Sequence, residues 1–143
     1  MADAVALACD HAGVALKQEL CAALERTGRR VVDLGTDGPD PVDYSDFADR
    51  MAEALAEGRA SLGVLVCGSG IGISIAANRH RHVRAALCHD ATTARLAREH
   101  NDANVLVLGS RVVGVQTALD CLEVFLATPF AGGRHARRVS KLG

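Results

Sequence analysis

The chain has 143 residues, 49% of them hydrophobic, and a formal net charge of −1, which suits one domain (1–143) with helices on each side of a sheet. No apolar run approaches the roughly 18 residues of a membrane helix, and Met1 to Asp3 lack the basic-then-apolar pattern of a secretory leader, so a cytoplasmic location without a membrane partner is expected. Near-neutral charge offers no long-range field to a nucleic acid, so an anionic ligand has to be small and held by a local cluster.

Runs rich in Val, Leu and Ala recur at 5–9, 30–34, 62–67, 83–88 and 105–109, each reading as a buried strand. Between them lie helical spacings: Leu16, Leu20 and Leu24, then Phe47, Met51 and Leu55, and finally Val115, Leu119, Leu122 and Leu126. Alternation of apolar strands with crossover helices predicts right-handed βαβ units. The fold class is therefore α/β, a Rossmann-like, doubly wound, five-stranded parallel sheet with helices on both faces. Asp10 stands where an N-cap is wanted, and Gly28 and Gly58 stand where helices should stop. Residues 35–43, with Gly38, Pro39 and Pro41, read as a surface loop. The basic tail, 129–143, has no clear periodicity and is expected either to fray or to reach across to something.

Five cysteines without CxxC spacing argue against a disulfide framework and a structural zinc site, so reduced thiols are expected. Cys21, Cys88 and Cys121 read as small buried hydrophobes. Cys9 and Cys67, at strand ends, are different.

Ligands of open parallel sheets bind beyond the carboxyl ends of the strands. There the chain presents Cys9-Asp10-His11, Cys67-Gly68-Ser69-Gly70-Ile71-Gly72, His89-Asp90 and Gly109-Ser110-Arg111. The glycine-rich stretch enters a short helix, and its backbone N–H groups can line an anion-binding concavity. A dinucleotide fingerprint is the competing reading, but GxGxxG is incomplete and no Walker lysine follows; a purely structural turn is another. Cys67 precedes the concavity, a setting that favours thiolate and makes it a candidate base or nucleophile. A cysteine hydrolase would pair it with a histidine, for which His100 and His11 are available.

His100-Asn101-Asp102 falls between the fourth helix and fifth strand, at the opposite sheet edge, where a histidine ordinarily faces the helix dipole. His80-Arg81-His82 reads as a solvated turn without metal-ligand spacing. Arg134 and Arg138 share a face if the tail is helical, so both guanidinium groups can grip one phosphate; otherwise they form a solvated basic end.

Taken in order, Cys9-Asp10-His11, Asp43-Tyr44, residues 67–78, residues 100–105, residues 109–114 and Gly132-Gly133-Arg134-His135 resemble the motifs of the ribose-5-phosphate isomerase B family and the related galactose-6-phosphate isomerase subunits. The resemblance spans nearly the whole chain. It implies metal-independent and cofactor-free interconversion of an aldose phosphate and a ketose phosphate, in a homodimer or dimer of dimers whose active sites are shared between subunits. It further implies that Cys67 removes the C2 proton and that the amides of Gly68, Gly70, Ile71 and Gly72 stabilise the enediolate. Ser69 would shuttle protons, and His100 would open the sugar ring bound by the other subunit. Asp10 would hold sugar hydroxyls or assist ring opening, Tyr44 would belong to the substrate site, and Asn101 would support the anion hole. His11, Arg111, Arg134 and Arg138 would surround the phosphate. One family branch carries a glutamate base in the glycine loop; this chain has Ile73 there, leaving Cys67 as the base. Ser69 departs from the threonine common in the cysteine branch but keeps the hydroxyl. Carrying Cys67, His100, Arg134 and Arg138 in one chain favours the ribose-type enzyme over the divided galactose-type subunits. A six-carbon sugar phosphate, a rare free sugar, and a non-catalytic sugar-phosphate-binding module are the competing readings. Residues 35–44 and 89–93 would set the pocket length.

Overall fold

Strands built from Val, Leu, Ala and Cys are buried on both faces wherever they run inside the sheet, and the parallel spatial order 31–33, 5–9, 62–67, 105–109, 85–87 puts three of them there. The computed structural model describes residues 4–143, so the leader reading of residues 1–3 lies outside the described residues. The strands are β1 (Val5–Cys9), β2 (Val31–Asp33), β3 (Leu62–Cys67), β4 (Ala85–Leu87) and β5 (Val105–Gly109). The helices are α1 (Val14–Arg26), α2 (Tyr44–Ala56), α3 (Ile71–Ala77), α4 (Ala91–Asn101), α5 (Val115–Ala127) and α6 (Arg134–Ser140). No helix among the described residues is long and apolar enough to cross a membrane.

The two sheet faces carry separate cores. Side chains alternate along a strand, so Val5, Leu7 and Cys9 of β1 and Val64 and Val66 of β3 pack with Leu16 and Leu20 of α1, Ala97 of α4 and Phe125 of α5. Ala6, Ala8, Leu65 and Cys67 point the other way, against Phe47 and Met51 of α2 and Ile73 of α3. The helices following the neighbouring strands β1 and β3 thus depart to opposite faces, which opens a crevice between the two strand ends. Asp10 and Cys67 flank it.

Helix ends follow local chemistry. The Gly28 N–H donates to the Glu25 carbonyl at 3.0 Å and Arg29 N–H to that of Leu24 at 3.1 Å, closing α1 with Gly28 at a φ of +81°. Gly58 (φ +73°) closes α2 in the same way.

Several expectations are corrected. The edge strands are shorter than 30–34 and 83–88, because each is paired on one side only. The Val83 N–H turns back to the His80 carbonyl at 3.0 Å, and Arg84 N–H donates to the Asn104 side chain at 2.7 Å, so regular pairing of β4 starts later. In α5 the buried stripe is Ala118, Cys121, Leu122 and Phe125, whereas Val115 is exposed; the helix buries a wider face than the sampled spacing implied. Cys21 is only partly buried. The turn at His80-Arg81-His82 is pinned rather than freely solvated, with His80 Nε2 2.8 Å from Asp49 Oδ1 and His82 Nε2 2.8 Å from the Ala52 carbonyl. The tail does not fray: α6 docks on its own chain's α4.

Candidate active site

The Cys67 loop is a tight turn between β3 and α3. Gly70 adopts a φ of +80°, and a side chain there would run into Leu87 and the backbone at Leu108 and Gly109, so the turn is closed to other residues. In this conformation the Gly70 N–H donates to Cys67 Sγ at 3.1 Å, and the Ile71 N–H donates to Ser69 Oγ at 3.1 Å. Two of the amides expected to face an anion are thus engaged inside the loop. Cys67 is 3% exposed.

Neighbouring elements bring further candidates to this edge. The Asp10 carboxylate accepts from the Ala12 N–H at 3.0 Å, capping the short turn into α1, and is itself 7% exposed. The β5 exit is stitched to the loop by Ser110 N–H on the Cys67 carbonyl and Arg111 N–H on the Gly68 carbonyl, each at 2.9 Å. The Arg111 guanidinium consequently lies over Gly68. Tyr44, at the start of α2, packs its ring against Gly72, a contact that any larger residue would obstruct. His11 is exposed, and its Nδ1 accepts from the Val42 N–H at 3.1 Å. Asp90 is differently occupied: it caps α4 by accepting from the Thr93 N–H at 2.7 Å, which holds its carboxyl below the usual range.

The remaining candidates form a second group. Because α4 returns from the end of β4 to the start of β5, His100 and Asn101 lie at the opposite edge of the sheet from Cys67, about 15 Å along the strands. His100 stacks on His135 of α6, ring centroids 4.3 Å apart and planes 12° from parallel. Burial, then the charges of His100, Arg134 and Arg138, push the His135 pKa down. Arg134 and Arg138 sit one helical turn apart on α6. Asp102 ends α4 in the left-handed region (φ 48°), clasped by Arg98 Nη1 at 2.9 Å and Arg84 Nη2 at 3.5 Å. One chain therefore places its candidate residues in two separate groups.

The thiols differ in environment. Burial pushes Cys9 up to about 12 and Cys21 and Cys88 up to about 11, and raises Cys121 as well. Cys9 and Cys88 donate their S–H to carbonyls, those of Thr36 and Ala86, whereas Cys67 accepts from an amide.

Sequence reading missed Lys17, which is 1% exposed and bonded to Asp33 and Asp37. Its signal was present, since Lys17 lies three residues before Leu20 on the buried stripe of α1. Ser110, placed at the strand end by the sequence but given no role there, donates its Oγ to the Ala12 carbonyl at 2.8 Å and ties the β5 exit to the Asp10 turn.

At the Cys67 edge a thiol, a carboxylate, a glycine turn and the Arg111 guanidinium come together, groups whose chemistry suits a small anionic polyol. Residues 5–142 match the Ribose/Galactose Isomerase family model, and the chain belongs to that family. It is 44% identical over 138 residues to ribose-5-phosphate isomerase B of Escherichia coli, covering 96% of this chain and 93% of that one. It superposes on the Clostridium thermocellum ribose-5-phosphate isomerase B with a TM-score of 0.96 and 48% identity, covering 98% and 95% of the two chains. The Mycoplasma genitalium ribose-5-phosphate isomerase B structure with bound ribulose 5-phosphate gives a TM-score of 0.93 and 40% identity over 97% and 93%.

Proposed function

We propose that this aldose-ketose isomerase interconverts ribose 5-phosphate and ribulose 5-phosphate through an enediolate, with Cys67 as the base at C2. The observation that carries this assignment is the Gly70 N–H directed at Cys67 Sγ from 3.1 Å, which holds the buried sulfur beside the amides of the glycine turn. The thiolate takes the C2 proton while the C1 carbonyl oxygen gains charge. Those amides of the Gly68 to Gly72 turn that are not bonded within it stabilise that oxyanion more than the neutral carbonyl. Ser69 Oγ relays the O2 proton to O1, and Cys67 returns its proton to C1. Bonds and charges balance with no metal and no cofactor in the scheme.

Asp10 holds the sugar hydroxyls, Tyr44 walls the site over Gly72, and His11 and Arg111 take the phosphate. The second group serves the neighbouring copy: His100 opens the furanose ring bound there, Asn101 supports its anion hole, and Arg134 and Arg138 reach its phosphate. The enzyme works in the cytoplasm as a homodimer or dimer of dimers. The exposed pair Ile71 and Ile75, at 55% and 54%, supports association beside the Cys67 loop.

A coupled assay on ribose 5-phosphate, allose 6-phosphate and galactose 6-phosphate, with and without a chelator, tests the function. The expected result is the highest kcat/KM on ribose 5-phosphate, indifferent to chelation. A higher value on a six-carbon substrate would reassign the specificity, and saturable binding without turnover would make the chain a binding module.

A further inference from the structure

Asp10 and Lys17 are the buried charged side chains among the described residues, and only Asp10 belongs to the site as described above. Lys17 projects from α1 beneath the segment that follows β2. Its Nζ lies 2.5 Å from Asp33 Oδ1 and 3.1 Å from Asp37 Oδ1. The same Asp33 oxygen accepts the Gly35 N–H at 2.9 Å, so one ammonium and one carboxylate fix the start of the segment. Backbone bonds then join it to the end of β1: Cys9 N–H donates to the Gly35 carbonyl at 2.8 Å and Thr36 N–H to the Cys9 carbonyl at 2.9 Å. Farther along, Val42 N–H donates to His11 Nδ1 at 3.1 Å. Asp37, Gly38, Pro39 and His11 line one cleft.

A nitrogen that accepts a backbone N–H carries no proton of its own, so the bond from Val42 leaves a neutral His11 with its proton on Nε2. That is the donor form an anionic oxygen needs. The bond exists only while the 33–42 segment keeps its path, and the ion pairs that the buried Lys17 ammonium makes at its root hold that path. An ammonium is suited to this task because a single point charge can serve two carboxylates on different turns.

We infer that Lys17 is a positioning residue: by anchoring Asp33 and Asp37 it holds the 33–42 segment against His11 and so sets the His11 tautomer that meets the substrate phosphate. The second half of this statement rests on His11 being a phosphate ligand.

Two variants test it, Lys17→Met and Asp37→Ala, the second because Asp37 is 80% exposed and its loss does not threaten folding. Long-range proton–nitrogen NMR of the His11 ring reads the tautomer without reference to activity. Both variants are expected to lose the single Nε2–H signature. KM for ribose 5-phosphate should rise roughly tenfold while kcat stays within about twofold, the pattern of impaired positioning. An unchanged His11 signature in Asp37→Ala, or in folded Lys17→Met, overturns the inference. A changed signature with an unchanged KM supports the anchoring by Lys17 and overturns instead the reading of His11 as a phosphate ligand.

Discussion

The amide of Gly70 donates to the sulfur of Cys67 across 3.1 Å, within a turn that only glycine can complete. Cys67→Ala should therefore fold and bind substrate yet lose turnover, because a methyl group keeps the strand end apolar while removing the proposed base. Single-turnover kinetics with C2-deuterated ribose 5-phosphate measure this directly. Near-wild-type kcat would exclude Cys67 as the base.

Alkylation should select the same thiol. With Cys9 pushed up to about 12 and Cys21 and Cys88 to about 11, these cysteines stay protonated at pH 8, and iodoacetamide should modify Cys67 and inactivate the enzyme. Saturating substrate should protect it. Peptide mass mapping checks the outcome, and modification of the other four with activity intact would refute it.

Gly70→Ala and Gly68→Ala should behave differently although two residues apart. At Gly70 the added carbon meets Leu87 and backbone in a positive-φ conformation, so a loss of about 1–3 kcal/mol in urea unfolding and at least a tenfold fall in kcat are expected. At Gly68 the nearest neighbour is the movable Arg111 side chain, 3.5 Å away, and the variant should unfold like the parent.

Arg134→Ala and Arg138→Ala should raise KM for phosphorylated substrates by roughly 10- to 150-fold each, the equivalent of one charge-assisted contact. Any activity on free ribose should be unaffected. Equal losses on both substrates would make the arginines structural.

Acid should weaken the His100–His135 contact. The folded His135 pKa lies below its ordinary 6.5, so its neutral form favours the folded state above that value, and this contribution is lost as pH falls through the folded pKa. Thermal unfolding between pH 7.5 and 5 should accordingly fall less steeply in His135→Phe, which keeps a stacking ring without the titration. Parallel slopes would show that the histidine pair carries no pH dependence.

Mixing inactive Cys67→Ala with inactive His100→Ala tests whether sites are shared. Random exchange makes half the dimers mixed, each with one intact site of two, so roughly a quarter of wild-type activity should return. No recovery in dimers verified as mixed by mass spectrometry would confine each site to one chain.

The interior of the sheet was legible because β1, β3 and β5 are buried on both faces, and an unbroken run of Val, Leu and Ala has few other uses. The edge strands were less so: one-sided pairing lets Val83 and Arg84 turn toward His80 and Asn104, partners that no periodicity announces. The Cys67 turn was readable from its glycines, and Asp10 from its place before a helix. Which amides point into the loop was not, since that depends on where Ser69 Oγ and Cys67 Sγ settle. The place of Lys17 on the buried stripe of α1 was readable, but its pairing with Asp33 and Asp37 was not, because they belong to a segment whose course follows from tertiary packing.

The division of the core into two faces also decides how oxidation would proceed. Cys9, Cys21, Cys88 and Cys121 all pack on the side of α1, α4 and α5, while Cys67 alone faces α2 and α3. A sulfenic acid formed on Cys67 has no resolving thiol on its own side of the sheet, so its repair falls to an external reductant such as glutathione, and without one a second equivalent of peroxide takes the sulfur to the irreversible sulfinic state.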